Sequence, residues 1–236
     1  MTGSLRRFAL VELALWASLY PIYLAVRGST IGDAGTAVAN AESLIDLERR
    51  LSLFHESSLQ NALSFASEAF SAYYMVGFGP LIAAVLVWLG LRDRSSYREL
   101  RTLLFASLAL AVVFYVGFPT APPRLVPELG IADTVGLSGH DTGSFAGIRF
   151  NPYAAMPSMH VGWSLLVGVV GFRAARRLPL RLFFALHPLL MAVTVTATGN
   201  HYFADSAAGA AIGLLTLWLL TSARRLTPMR LLARPA

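Results

Sequence analysis

The chain has 236 residues, of which 56% are apolar and only 14% are charged, whereas an ordinary soluble domain carries about 25% charged residues. This composition excludes the soluble, disordered and fibrous classes. The formal charge is +6, and the sequence contains no cysteine, which excludes disulfides, zinc–thiolate sites and cysteine nucleophiles.

Long stretches without charge predict six transmembrane helices, because a helix needs about 20 apolar residues to cross a bilayer. The first stretch carries Glu12 near its start and Pro21, which a transmembrane helix tolerates as a kink. We therefore expect an all-α integral membrane bundle that forms one domain over residues 1–236. The predicted spans are 8–26, 67–91, 102–119, 157–173, 182–199 and 201–222.

The basic residues predict the orientation in the membrane. All 19 are arginines, and 14 of them lie at the N-terminus, in the second and fourth connections and at the C-terminus. By the positive-inside rule these segments, and hence both termini, are cytoplasmic. The basic excess is thereby explained without a nucleic-acid partner, and we expect a multi-pass protein of the plasma membrane. A signal peptide within residues 1–26 is the alternative interpretation of Arg6, Arg7 and the apolar run that follows.

The first outer connection is predicted to form an amphipathic helix that begins near Asn40, a residue type favoured at helix N-caps. Such a helix is either a lid over a lipid site or a connector that rests at the membrane interface. Its predicted apolar face comprises Leu44, Leu47, Leu51 and Phe54, and its predicted charged face comprises Asp46, Glu48, Arg49 and Arg50. The third connection, residues 119–156, is long and rich in Pro and Gly, which is typical of a functional loop.

Three polar segments flank the third, fourth and sixth spans: Pro119–Arg124, Pro157–His160 and Gly199–Asp205. The alternation of the spans places all three at the outer boundary of the membrane, where they can converge. Ionisable residues at such positions are costly and are usually functional.

The residue types in these segments favour phosphoryl transfer. His201 and Asp205 are four residues apart, so on a helix the carboxylate can orient the imidazole as a nucleophile. His160 supplies a second imidazole. Ser158 precedes it at a helix start, where free N–H groups attract a phosphate, and the Arg124 guanidinium can bind phosphate oxygens in pairs. These groups suffice without a metal or another cofactor.

These motifs resemble the type 2 phosphatidic acid phosphatase superfamily, whose signatures run from Lys-x6-Arg-Pro through Pro-Ser-Gly-His to Ser-Arg-x5-His-x3-Asp. The resemblance implies that His201 attacks phosphorus to form a phosphohistidine, Asp205 orients it, and His160 protonates the leaving group. Phosphate contacts are expected from Arg124, Ser158, Met159 and Asn200.

The sequence also departs from the superfamily signatures. The expected lysine falls at Gly117, the proline at Leu125, the glycine at Met159, and the Ser-Arg pair at Thr194 and Val195. The sequences of the motifs resemble those of a divergent branch that includes inositol phosphorylceramide synthases, which are lipid phosphotransferases. Arg149 and Asn200 are candidates to replace the lost phosphate contacts, although a surface role for Arg149 and a helix-capping role for Asn200 remain open.

We therefore expect an enzyme that cleaves a lipid phosphate ester or diphosphate outside the cytoplasm, with water, a polyol or a lipid alcohol as acceptor. The sequence leaves the acceptor and the oligomeric state open. One alternative is a phospholipid or isoprenoid-phosphate transporter. Another is a rhomboid-like serine protease, because Gly136-Leu-Ser138-Gly139 fits the Gly-x-Ser-Gly pattern and could pair Ser138 with His201.

Overall fold

A computed structural model describes residues 6–8, 10–18, 34–138, 144–145, 148–149 and 151–226, without the side chains of the four strand residues or of 224–226. The described part is dominated by helices. These are α1 Ala34–Arg50, α2 Glu56–Ala62, α3 Ser67–Val76, α4 Gly79–Arg92, α5 Arg94–Gly117, α6 Thr134–Leu137, α7 Met159–Ala174, α8 Leu178–Ala197 and α9 Phe203–Leu226. Short 3₁₀ turns occupy Ser64–Ala66, Pro123–Leu125 and Pro127–Leu129, and strands β1 Ser144–Phe145 and β2 Ile148–Arg149 pair antiparallel.

Three helices are long and apolar enough to cross a membrane: α5, α8 and residues Phe203–Ala223 of α9. A fourth span is possible where 64–76 and α4 pass the same test together, with a bend of 45° between them. Helix α7 is apolar but has 16 residues, about 24 Å of helix against a hydrocarbon core of about 30 Å. The predicted first span, 8–26, includes Pro21 and lies largely outside the described residues. The six-span count and the cytoplasmic termini therefore stay predictions.

Glu12 lies on the helical N-terminal segment 10–18 and is bound from α5. Its carboxylate forms an ion pair with Arg101 and accepts a hydrogen bond from the Tyr97 hydroxyl at 3.0 Å. The Tyr97 oxygen in turn accepts the indole N–H of Trp16 at 3.0 Å. Because a buried carboxylate needs partners, this network explains how the predicted first span accommodates an acidic residue.

A helix forms in the predicted region, but α1 begins at Ala34, and Asn40, the predicted N-cap, lies inside it. Its buried face also differs from the predicted one. Leu47 and Leu51, assigned to the apolar face, are 49% and 58% exposed. Glu48, assigned to the charged face, is 1% exposed, so that assignment was wrong. The actual buried face has a stripe of small and aliphatic residues around Glu48, at helical spacing. It comprises Ala37, Ala41, Leu44, Ile45 and Glu48.

The helices that carry the polar segments are packed very closely. A Cβ atom at Gly209 in α9 would lie 2.0 Å from the Ser158 carbonyl oxygen, and one at Gly162 in α7 would lie 2.7 Å from the Gly209 carbonyl oxygen. The α7–α9 crossing therefore requires glycine at both positions, since no side chain fits between the backbones. As a result, the start of α7 is held directly against the first turns of α9.

Candidate active site

The three polar segments meet at one end of the helix bundle. Residues 119–124 follow α5, while Pro157–His160 begin α7 and Gly199–Asp205 join α8 to α9. The Ser158 N–H donates to the Asp205 carbonyl oxygen at 2.9 Å, and the Arg124 N–H donates to the Gly199 carbonyl oxygen at 3.0 Å. The convergence expected from the order of the spans is thus present in the structure.

His201 stands two residues before α9, in a tight turn, and not on the helix as the spacing argument assumed. Gly199 has a positive φ of 73° in this turn, a conformation that favours glycine. The His201 Nδ1 lies 3.3 Å from Oδ2 of Asp205, in the first turn of α9. The same oxygen accepts the Tyr202 N–H at 3.0 Å. Asp205 is fully buried and His201 is 6% exposed.

His160 brings the second imidazole against the first. Its Nδ1 lies 3.4 Å from Nε2 of His201. Because a proton on Nδ1 of His201 faces the carboxylate, Nε2 carries the lone pair and Nδ1 of His160 is then the donor between the rings. The half-buried ring of His160 stacks on Tyr74 at a centroid distance of 4.6 Å and contacts Phe78 at 4.2 Å.

Arg124 is held by two side chains. Its Nη1 donates to Oδ1 of Asn200 at 2.5 Å, and its Nε lies 3.5 Å from Oδ2 of Asp133. Asn200 is itself fixed, since its Nδ2 donates to the Thr198 hydroxyl at 2.9 Å. The buried Asn200 amide therefore orients the guanidinium, and phosphate binding by Arg124 and Asn200 stays a prediction.

Ser158 is the N-cap of α7, which begins at Met159. The buried hydroxyl accepts the Val161 N–H at 3.5 Å, and its own proton can still be donated. Met159 and His160 open the helix. Amides of a first helical turn have no acceptor within the helix, and the positive end of the dipole attracts anions. Phosphate binding at Ser158 and Met159 stays a prediction that this geometry permits.

The start of α9 differs, because two acidic side chains already occupy its amides. Glu48 of α1 accepts the Ala204 N–H at 2.6 Å, and Glu56 of α2 accepts the Phe203 N–H at 3.0 Å. Sequence reasoning missed both glutamates. For Glu48 a signal existed, because it continues the small-residue stripe of Ala37 and Ala41 at helical spacing. No comparable sequence signal marks Glu56.

The positions that depart from the superfamily signatures are occupied by ordinary helix residues. Gly117 ends α5. Val195 is fully buried in α8, and its carbonyl oxygen accepts the N–H groups of Asn200 and His201. The Arg149 side chain lies outside the described residues, so its proposed role stays a prediction. Within the described ranges, no three or more His, Asp or Glu side chains are grouped so as to hold a metal.

The rhomboid-like alternative rests on Ser138, which the structure places on the surface at the end of α6. Its hydroxyl donates to the Thr134 carbonyl oxygen at 2.8 Å. The nitrogens of His201, in contrast, face His160 and Asp205. The contacts of this structure thus favour the two-histidine site over a Ser138–His201 dyad.

A mainly helical fold with three helices long and apolar enough to cross a membrane, and a carboxylate–histidine–histidine site, fits a membrane protein with the side chains for phosphoryl transfer. A family model described as the PAP2 superfamily matches residues 42–219. The chain therefore belongs to the PAP2 superfamily, in agreement with the resemblance found in the motifs. This membership supports a membrane lipid phosphatase.

Among solved structures, the chain is similar to the crystal structure of LpxE from Aquifex aeolicus, with a TM-score of 0.54 and 16% sequence identity. The similarity covers 73% of this chain and 94% of that one. At this identity the likeness establishes the fold. No curated protein matches the chain, and the resemblance to the inositol phosphorylceramide synthase branch stays a prediction.

Proposed function

We propose that this protein hydrolyses a lipid phosphate ester or diphosphate through a phosphohistidine on His201. The observation that carries the proposal is the continuous line of contacts from Asp205 to His201 and from His201 to His160. A carboxylate at Nδ1 leaves the lone pair of Nε2 for attack and stabilises the imidazole as it becomes positively charged.

In the first step, Nε2 of His201 attacks phosphorus and the bond from phosphorus to the leaving oxygen breaks. His160, entering the step as the imidazolium, donates a proton to that oxygen and becomes neutral, a form of catalysis that typically contributes about 10²- to 10⁴-fold. Arg124 and the first amides of α7 stabilise charge on the equatorial oxygens. In the second step, water gives a proton to His160 and attacks phosphorus, and the N–P bond breaks to release phosphate. No metal is needed.

The two imidazoles touch in this structure, so an in-line phosphoryl group has to displace the ring of His160. Movement of this ring takes place against Tyr74 and Phe78, which flank it. We propose that the substrate enters beside these aromatic rings, laterally from the bilayer, and places its phosphoryl group between the histidines.

We place the site on the extracytoplasmic side of the plasma membrane. The positive-inside rule assigns arginine-rich connections to the cytoplasm. In the described structure, arginines cluster at the α4–α5 and α7–α8 junctions, at the opposite end of the bundle from His160 and His201. These arginines are Arg92, Arg94, Arg98, Arg101, Arg173, Arg176, Arg177 and Arg181.

The test uses purified wild type and His201→Ala with phosphatidic acid and an isoprenyl diphosphate in detergent micelles. We expect phosphate release by wild type, inhibition by vanadate, and an acid-labile phosphoenzyme that His201→Ala does not form. Head-group release in micelles also separates an enzyme from a transporter. A folded His201→Ala protein with wild-type turnover would refute the nucleophile assignment.

The acceptor is tested in the same assay. Adding glycerol or inositol and following new phosphodiester products separates hydrolysis from transfer, because both reactions share the phosphohistidine and differ only in the hydroxyl that attacks it. We propose water as the acceptor because superfamily membership supports a phosphatase. A polyol phosphate or a new phospholipid as the main product would replace hydrolysis by transfer and leave the His201 assignment intact.

A further inference from the structure

Two buried glutamates from the outer helices hold the start of the helix that follows the nucleophile. Glu48 and Glu56 are 1% and 0% exposed, respectively. Their carboxyl groups accept the N–H groups of Ala204 and Phe203, the first two residues of α9. They come from two different helices, α1 and α2, and are brought to one point only by the fold.

The amides around the start of α9 are divided among three carboxyl groups. Asp205 takes the N–H of Tyr202, Glu56 that of Phe203 and Glu48 that of Ala204. Acidic groups at a helix N-terminus satisfy otherwise unpaired donors and interact favourably with the dipole. These amides are therefore already bound and are not free to bind a substrate phosphate.

The catalytic contact depends on the same turn. His201 precedes α9 and Asp205 lies in its first turn, so the distance between them is set by the backbone of residues 202–204. Two of the three N–H groups in that stretch are bound by Glu48 and Glu56. If these bonds are lost, the first turn can fray and Asp205 can move relative to the imidazole.

The two carboxyl groups also interact with each other. Burial, followed by the proximity of the Glu56 carboxyl group, raises the pKa of Glu48 to about 8. The titratable groups that face Glu48 are Glu56 from α2, Asp205 from α9, and Tyr202 just before α9. Glu56 and Asp205 disfavour a negative charge on Glu48, so Glu48 holds a proton at neutral pH.

We propose that Glu48 and Glu56 are positioning residues, which fix the first turn of α9 and thereby hold Asp205 against His201. The inference rests on the proposed function. It assigns α1 and α2 a role in catalysis. These helices fix the first turn of α9, and through it the nucleophile, by carboxyl groups that do not contact the substrate.

The test compares Glu48→Ala with Glu48→Gln, and uses Glu42→Ala, an exposed glutamate on the same helix, as the matched control. The probe is whichever of phosphatidic acid or an isoprenyl diphosphate wild type turns over faster in micelles. In metal sites, loss of the groups that orient a ligating histidine typically costs about 10- to 100-fold in affinity or activity, and we take this as the scale for the present site. We therefore expect Glu48→Ala to lower kcat by about 10-fold or more with KM nearly unchanged, and Glu48→Gln, which keeps the acceptor for Ala204, to recover most of kcat.

A pH series adds a measurement that general stability would not move. Deprotonation of Glu48 places a negative charge in this buried cluster of carboxyl groups, whereas glutamine stays neutral. The ratio of the Glu48→Gln kcat to the wild-type kcat is therefore expected to rise between pH 7 and pH 9. This ratio is measurable even if Glu48→Ala does not fold.

Equal kcat values for Glu48→Ala and Glu42→Ala would overturn the positioning role, as would a Glu48→Gln protein as impaired as Glu48→Ala or a flat ratio across the pH series. These outcomes are distinguishable from failure of the proposed function. That failure appears as full activity in His201→Ala, or as no head-group release from either lipid by wild type.

Discussion

Asparagine at position 205 tests how far the buried carboxylate drives catalysis. Asp205→Asn keeps the size of the side chain and removes its charge. In the structure one oxygen, Oδ2, receives both the His201 ring N–H at 3.3 Å and the Tyr202 N–H at 3.0 Å. An asparagine oxygen at this point preserves both bonds, whereas an asparagine NH₂ group there would turn the lone pair of Nδ1 inward and put the proton on Nε2, where attack has to occur.

The expected magnitude follows from burial. Asp205 is 0% exposed, so water cannot replace its charge when the imidazole becomes positively charged in the phosphohistidine. The corresponding change in a serine protease triad, from aspartate to asparagine, costs about 10⁴-fold in kcat. The His201–Asp205 contact is longer than an ideal charge-assisted hydrogen bond, so we expect a smaller loss of about 10³-fold, equivalent to about 4 kcal/mol of transition-state stabilisation.

The assay is single-turnover formation of the phosphoenzyme, followed by steady-state kcat and KM in detergent micelles. Asp46→Asn, an exposed residue on α1, is the control for loss of an acidic charge. We expect the loss to appear in the rate of phosphohistidine formation with KM nearly unchanged, because Asp205 does not contact the substrate. A folded Asp205→Asn protein within about threefold of wild type would refute the orienting role.

Three further expectations concern packing, phosphate binding and pH. Gly209→Ala places a methyl group 2.0 Å from the Ser158 carbonyl oxygen. We expect it to lower the free energy of unfolding by about 3 kcal/mol and kcat by at least tenfold. The control Gly90→Ala, where the added methyl group meets only ordinary contacts, should be neutral or stabilising in thermal unfolding. Arg124→Lys keeps the charge but loses the paired donors, so kcat/KM should fall about 10- to 100-fold; an unchanged value would exclude Arg124 as a phosphate ligand. Because the pKa of Glu48 is raised to about 8, the native state keeps a proton that the unfolded chain has lost at the same pH. Thermal stability in detergent should therefore fall as pH rises from about 5 to 8. Glu48→Gln should remove that fall.

The membrane helices could be predicted because a single physical requirement, about 20 apolar residues per crossing, is visible in composition. The predicted spans at 102–119 and 182–199 correspond to α5 and α8. The span at 67–91 is instead bent between α3 and α4. Apolarity alone does not specify a bend, and it does not indicate that α7 contains only 16 residues.

The core of the candidate site could also be predicted, since His160, His201 and Asp205 lie in short motifs at the starts of the predicted fourth and sixth spans. The supporting residues could not, because they come from distant segments. Glu48 is 156 residues from the amide that it binds. Its position on the helix places it on the buried face, but a charged residue is assigned to solvent by default, and only the tertiary structure supplies the N-terminus that makes its burial favourable.

The glycine contacts between α7 and α9 have a consequence for how the protein admits its substrate. Because Ser158 and Gly209 are in direct backbone contact, α7 and α9 cannot separate without breaking the interface that holds both imidazoles. We therefore expect a bulky lipid to be accommodated by movement of the two aromatic rings that flank His160, Tyr74 on α3 and Phe78 just after it. On this view, substitutions of Tyr74 and Phe78 are expected to change which lipid is preferred.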